Sequence, residues 1–158
     1  MKKKTYVSPG DAKSLSVSLE ELMPIIRERL GAGQSVTIYP RGVSMLPTLK
    51  EGRDSVTLTA YKPPLKRYEI ALFQRTDGTF VLHRAVKAGA TYSFLGDAQY
   101  KEESGIKDSQ IIGVVTEITR NGKQHSMGAI YAFRVRVCYF LKRVKRRIKK
   151  LRRKAHLH

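Results

Sequence analysis

Cysteine is nearly absent from this 158-residue chain, which contains Cys138 alone. A single cysteine excludes an intramolecular disulfide framework and any metal site built from several thiolates. Histidine is also sparse, and its four copies lack the short spacings of zinc sites. The four are His83, His125, His156 and His158. We therefore expect no bound metal and no cofactor.

Long apolar runs are missing as well. No stretch reaches the roughly 20 mostly apolar residues that a spanning helix needs. The basic residues 1–4 are followed by the polar residues 8–11 rather than by the apolar core of a signal peptide. The sequence thus predicts neither a spanning helix nor a cleaved export signal. Its hydrophobic content of 41% over 158 residues suits one globular domain with a modest core.

Acidic residues are absent from residues 118–158, a segment that carries +14 of the net charge of +18. From Gly128 onward, apolar residues recur every three or four positions and predict a helix with an apolar stripe beneath a basic face. The stripe comprises Ile130, Phe133, Val137, Phe140, Leu141, Val144, Ile148 and Leu151. Aromatic residues in this segment favour binding to an anionic membrane surface. A tail that binds nucleic-acid phosphates and a solvated disordered run are the alternatives.

Residues 18–30 predict a short amphipathic helix. It begins with a capping box formed by Ser18 and Glu21, is broken or bent near Pro24, and ends at Gly31. The apolar face that we expect to be buried comprises Leu22, Ile25, Ile26 and Leu30.

From residue 35 the pattern changes to the alternation and turn signals typical of strands. The predicted strands cover residues 35–39, 54–60, 68–74, 79–88, 91–95 and 111–119, with turns at Asp77-Gly78, Gly89-Ala90 and Asn121-Gly122. We therefore predict a mainly β, antiparallel fold with a short N-terminal helix and a C-terminal basic amphipathic helix. The predicted segments are 1–34 with the helix, 35–124 as the β domain, and 125–158 as the basic tail.

One serine lies in a stiff bend. Gly42 permits backbone angles that a side chain would block, and Pro47 fixes φ just beyond Ser44. A Gly/Asp turn at residues 52–54 then leads into a β-branched run. This pattern predicts a strand end that presents the hydroxyl of Ser44. An ordinary loop between two strands has the same composition.

Five short blocks, taken in order, favour the first interpretation because they resemble the signal peptidase and LexA-type serine peptidase superfamily. The nucleophile box S/G-x-S-M-x-P-T-L, with its following G-D, is similar to G-V-S-M-L-P-T-L at 42–49 and G-R-D-S-V at 52–56. The other similar blocks are Y-E-I-A-L-F at 68–73, V-L-H-R-A-V at 81–86, F-L-G-D-A at 94–98 and I-I-G-V-V at 111–115. The resemblance covers about residues 36–118 and implies a signal-peptidase/LexA-like β fold.

The resemblance implies that Ser44 is the nucleophile and that His83 is the general base. His83 precedes an arginine, as the base does in the histidine-using type found in the endoplasmic reticulum and in archaea. The chemistry agrees, because imidazole titrates near neutral pH and can accept the serine proton.

Three acids could orient His83 and stabilise its cation, as in a Ser-His-Asp arrangement. We favour Asp97, which lies in a turn, over Glu102 and Glu103, although in the endoplasmic reticulum type the acid lies a few residues past the Gly-Asp pair, near Glu102 and Glu103 here. Gly42 replaces a serine that helps to hold the oxyanion in many bacterial members. Any oxyanion hole would therefore use backbone N–H groups, including that of Ser44. The nucleophile loop that would carry it includes Gly42, Val43, Met45 and Pro47.

The implied function is a serine endopeptidase that cleaves a leader or loop of a peptide or protein. No membrane anchor and no helix-turn-helix module precede the nucleophile box, so we expect a cytoplasmic protein that is peripheral to the inner face of the membrane through its basic tail. The alternative is a LexA-like regulator, self-cleaving or not enzymatic, that binds nucleic acid through the same tail.

Overall fold

The computed structural model describes residues 18–127 and the separate positions 135, 137, 139, 141 and 148. The chain divides into two compact units, Met1–Ser126 and Met127–His158. The C-terminal amphipathic helix predicted for the second unit falls almost entirely outside the described residues, and so it stays a prediction. No helix in the described part of the chain is long and apolar enough to cross a membrane.

The N-terminal helix, α1, spans Leu19–Gly31. Its capping box forms as predicted, because the Glu21 amide donates to the Ser18 hydroxyl and the Ser18 amide donates to the Glu21 carboxylate. The helix is continuous across Pro24, where the missing N–H removes one backbone hydrogen bond near the start.

The buried stripe of α1 runs through Met23, Ile26 and Leu30. Ile25, which we placed on the buried face, is 52% exposed, and that part of the prediction was wrong. The buried residues Met23, Ile26 and Leu30 are spaced three and four apart, and this spacing places Ile25 on the solvent-exposed side of the helix.

Eight strands in the described region form one antiparallel sheet, which confirms the mainly β class with a short N-terminal helix. They are β1 (Val36–Ile38), β2 (Asp54–Ala60), β3 (Ile70–Gln74), β4 (Phe80–Lys87), β5 (Tyr92–Leu95), β6 (Glu103–Ile106), β7 (Ile111–Arg120) and β8 (Lys123–Ser126). The strand order is β1-β2-β7-β3-β4-β5-β6, and β8 pairs with β7. A short 3-10 turn, Asp108–Gln110, precedes β7.

One core cluster is built from residues of strands β3 to β7 together with Leu65, and its Phe73 contacts the ring of the candidate base His83. It comprises Leu65, Ala71, Phe73, Ala85, Tyr92, Phe94, Ile106 and Ile111. The rings of Phe73 and Phe94 stack with their centroids 4.4 Å apart. Because side chains alternate along a strand, β4 directs His83 to the same face as Ala85 and directs Arg84 to the opposite face.

Candidate active site

The loop that carries Ser44 docks on the turn that follows β5. The amide of Ala98 donates to the carbonyl of Ser44 at 2.8 Å. Gly96 makes this approach possible, because a Cβ there would lie 2.7 Å from the same carbonyl oxygen. Leu95, which precedes Gly96, pairs with β4 at Arg84. The backbone of Ser44 is therefore held beside the strand that carries the candidate base.

Thr48, near the end of the same loop, is bound from two sides. Its hydroxyl donates to the carboxylate of Asp97, which also accepts two hydrogen bonds from Arg84, at 2.8 and 2.6 Å. Its carbonyl accepts a hydrogen bond of 2.7 Å from Arg120, and this guanidinium also donates to Asp54. Two carboxylate–arginine pairs thus fix the loop on both sides of Thr48.

Asp54 is 1% exposed and ionised. Burial alone would raise the pKa of this carboxyl, but hydrogen bonds from Arg53, Arg120 and the amide of Lys50 outweigh burial and hold the pKa far below its usual range. The carboxylate that supports Arg120 therefore stays charged at neutral pH.

The other nucleophile-loop residues have different environments. Gly42 has a φ of +86°, which glycine adopts without strain, and its amide donates to the carboxylate of Glu51 at 2.7 Å. Met45 is buried and Pro47 is exposed. Val43, immediately before the candidate nucleophile, is 69% exposed. The Gly42 amide is already engaged, so it is a poor candidate for binding an oxyanion.

His83 is 3% exposed, and its ring meets Phe73 in an edge contact with the centroids 6.4 Å apart. Its Nδ1 lies 3.3 Å from Oε1 of Glu103, a contact longer than a good hydrogen bond and without hydrogen-bond alignment among the described residues. Burial lowers the pKa of His83, and the nearby Glu103 opposes that shift. The net effect keeps the imidazole neutral at neutral pH, the form that can accept a proton.

The three candidate acids lie in different places. Glu103 contacts His83. Glu102 points elsewhere and forms an exposed ion pair of 3.0 Å with Lys87. Asp97, which we favoured from the sequence, is bound by Arg84 and by the loop at Thr48. The geometry therefore favours Glu103, the later acid, as the group that orients the ring.

Glu103 has a second charged neighbour that sequence reasoning missed. Arg75 donates from Nε and Nη2 to the two carboxylate oxygens of Glu103, at 2.7 and 2.6 Å. These hydrogen bonds hold the pKa of Glu103 below its usual value against the opposing effect of burial. Arg75 could not be identified as a site residue from the sequence, because its partner Glu103 lies 28 positions away. The described contacts thus bring together the buried imidazole of His83, the carboxylate of Glu103 and the guanidinium of Arg75.

Comparisons of the chain with protein-family models, with curated proteins and with solved structures find no match. The superfamily resemblance therefore depends on the five sequence blocks, and the chemistry of the site must be argued from its own geometry.

Proposed function

We propose that the chain is a serine endopeptidase with a signal-peptidase/LexA-like β fold, in which Ser44 is the nucleophile, His83 the general base and Glu103 the orienting acid. The observation that carries the proposal is the buried, neutral His83 with a carboxylate 3.3 Å from its Nδ1. A buried imidazole paired with a partly buried carboxylate is a combination that can activate a serine nucleophile.

The roles of the two ring nitrogens follow from the position of Glu103. A carboxylate beside Nδ1 favours the tautomer that carries its proton there, which leaves Nε2 free to accept the Ser44 hydroxyl proton. As Oγ of Ser44 forms its bond to the substrate carbonyl carbon, His83 gains that proton and becomes a cation. Glu103 stabilises this cation without taking the proton itself.

The second half of the reaction returns the proton. The tetrahedral intermediate carries a negative oxygen, for which the backbone amide of Ser44 is our candidate donor, because the Gly42 amide is bound to Glu51. When the C–N bond breaks, His83 gives its proton to the leaving amine. Water then attacks the acyl group on Ser44, again with His83 as the base, and releases the acid product.

The substrate class and the location of the protein are proposed from the sequence. The segment 118–158 carries 14 basic and no acidic residues, which is typical of attachment to an anionic leaflet. We therefore propose that the enzyme cleaves a leader or loop of a peptide or protein at the cytoplasmic face of a membrane.

The test uses single and double substitutions with a synthetic peptide library as substrate, and mass spectrometry detects the products. Ser44→Ala and His83→Ala should each lower the cleavage rate on the order of 10⁴-fold, and the double variant should be scarcely slower, because the two groups act as a unit. His125→Ala, which alters an exposed histidine on β8, is the matched control. Equal cleavage by wild type and Ser44→Ala would refute the proposal.

A further inference from the structure

Arg75 lies in the hairpin turn between β3 and β4, and the turn fixes its backbone. Its amide donates to the carbonyl of Thr79 at 2.9 Å, and its carbonyl accepts from the amide of Gly78 at 3.0 Å. From this fixed position the side chain reaches Glu103, the first residue of β6. The contact thus connects a turn at one end of the β3–β4 hairpin with the strand that carries the candidate acid.

The hydrogen bonds of Arg75 determine where the Glu103 oxygens lie. The planar guanidinium binds both oxygens at once, which allows the carboxylate only one orientation. Oε1, bound at 2.6 Å by Nη2 of Arg75, is also the oxygen that lies 3.3 Å from Nδ1 of His83. A carboxylate without this support could rotate its oxygens away from the imidazole.

We infer that Arg75 is a positioning residue that holds Oε1 of Glu103 against His83, an inference that rests on the proposed function. Arg75 acts through the carboxylate, so its loss should affect the orientation of the base more than the binding of substrate. Its role differs from that of a structural ion pair, because the oxygen that it holds also contacts the imidazole.

Arg75 also acts on His83 through its charge. Three charged groups influence the imidazole: Glu103 on β6, Asp97 after β5 and Arg75 in the β3–β4 turn. The two carboxylates raise the pKa of His83, whereas the guanidinium lowers it and adds to the larger effect of burial. Loss of the positive charge alone would let His83 accept a proton at higher pH, but release of Glu103, whose effect on the imidazole is the larger, should outweigh it and lower the His83 pKa.

The experiment measures two properties of the full chain. The first is the pKa of His83, followed by NMR at its Cε1–H. The second is the rate of acylation of Ser44 by p-nitrophenyl acetate, followed as a burst of nitrophenol. Arg75→Gln should lower the His83 pKa, because Glu103 is no longer held at the imidazole, and should slow acylation by up to about 100-fold. Arg75→Lys should lose a smaller part of the rate than Arg75→Gln does, because an ammonium group still attracts the carboxylate but cannot hold both oxygens.

Lys87→Gln is the matched control, since it removes the neighbouring Lys87–Glu102 ion pair without touching Glu103. In a Glu103→Gln background, Arg75→Gln should cause little further loss of rate, because the carboxylate through which Arg75 acts on the imidazole is already absent. The NMR titration reports the effect of Arg75 on His83 whether or not Ser44 is acylated. A failure of the proposed function can therefore be distinguished from a failure of this inference. If Arg75→Gln raises the His83 pKa or leaves it unchanged, or slows acylation no more than Lys87→Gln does, the inference is overturned.

Discussion

The guanidinium of Arg84 holds the carboxylate of Asp97 through two parallel hydrogen bonds, 2.8 Å from Nε to Oδ1 and 2.6 Å from Nη2 to Oδ2. Both side chains are almost fully buried. The same carboxylate accepts the hydroxyl of Thr48, so this pair supports the nucleophile loop. Asp97 therefore has a clear structural role, whatever its effect on the chemistry.

We expect Asp97→Asn to lower the free energy of unfolding by roughly 3–5 kcal/mol, because it removes the negative charge that balances the buried guanidinium of Arg84. Acylation of Ser44, measured per folded molecule, should fall less than it does in Glu103→Gln. Urea unfolding and the ester burst measure the two effects separately. Full stability with no acylation would instead favour Asp97 as the orienting acid.

Glu103→Gln should reduce the rate of acylation by roughly 10²–10⁴-fold, as expected when the group that fixes the imidazole tautomer is lost. It should also move the acid limb of the pH–rate profile. The wild-type rate should fall as pH decreases through the His83 pKa, which burial keeps below its ordinary value. Loss of the carboxylate removes a group that raises this pKa, so the limb should shift to still lower pH.

The matched control for this experiment is Glu102→Gln, which changes the adjacent acid in its exposed pair with Lys87. A wild-type rate that does not fall at any acid pH at which the protein stays folded would exclude His83 as the base. A large loss of rate in Glu102→Gln, with none in Glu103→Gln, would assign the orienting role to the other glutamate.

Gly96→Ala should displace the Ser44 carbonyl, because the added Cβ would lie 2.7 Å from that backbone oxygen. We expect acylation to slow by about 100-fold, the cost of a misplacement of about 1 Å. Gly89→Ala is the control, since its Cβ would meet only an ordinary contact of 3.9 Å. NMR spectra of both variants would check that the fold persists. A wild-type rate for folded Gly96→Ala would contradict the tight docking of the serine loop.

The basic tail is tested with vesicles. Full-length protein should co-sediment with anionic vesicles but weakly with neutral ones, and truncation before Gly128 should abolish binding, because each basic residue near the surface contributes roughly 1 kcal/mol. The double variant Phe140→Glu with Val144→Glu should also bind poorly, because it removes part of the apolar stripe. Equal binding by that variant, or a preference for duplex DNA at physiological salt, would favour the nucleic-acid alternative.

The sequence predicted the strands whose side chains alternate or are β-branched, and it missed two that lack this pattern. β6, Glu103–Ile106, has one large apolar residue and a glycine, and it forms because β5 supplies a pairing edge. β8, Lys123–Ser126, is entirely polar. It pairs with β7 because Asn121 and Gly122, with φ of +48° and +74°, form the tight turn that was predicted there.

Some residues of the candidate site could likewise be predicted from the sequence, and others could not. The positions of Ser44 and His83 could be proposed from motifs, because local sequence determines the glycine–proline bend at Ser44 and the strand β4 that contains His83. The choice among the acids could not, since Glu102 and Glu103 are adjacent and only the pairing of β6 decides which one faces the imidazole. The contact between Arg75 and Glu103 depends on the same pairing of β6, together with the geometry of the turn between β3 and β4.

The nucleophilic role of Ser44 is tested most directly by intact-protein and peptide mass spectrometry after treatment with a serine-directed acylating inhibitor. We expect one adduct per chain, located on the peptide that contains Ser44. Ser44→Ala should lose the adduct, whereas Ser126→Ala, which removes an exposed hydroxyl on β8, should keep it. His83→Ala should slow labelling on the order of 10⁴-fold. Labelling of Ser44→Ala at the wild-type rate, or an adduct confined to other residues, would contradict the assignment of this chain as a serine peptidase.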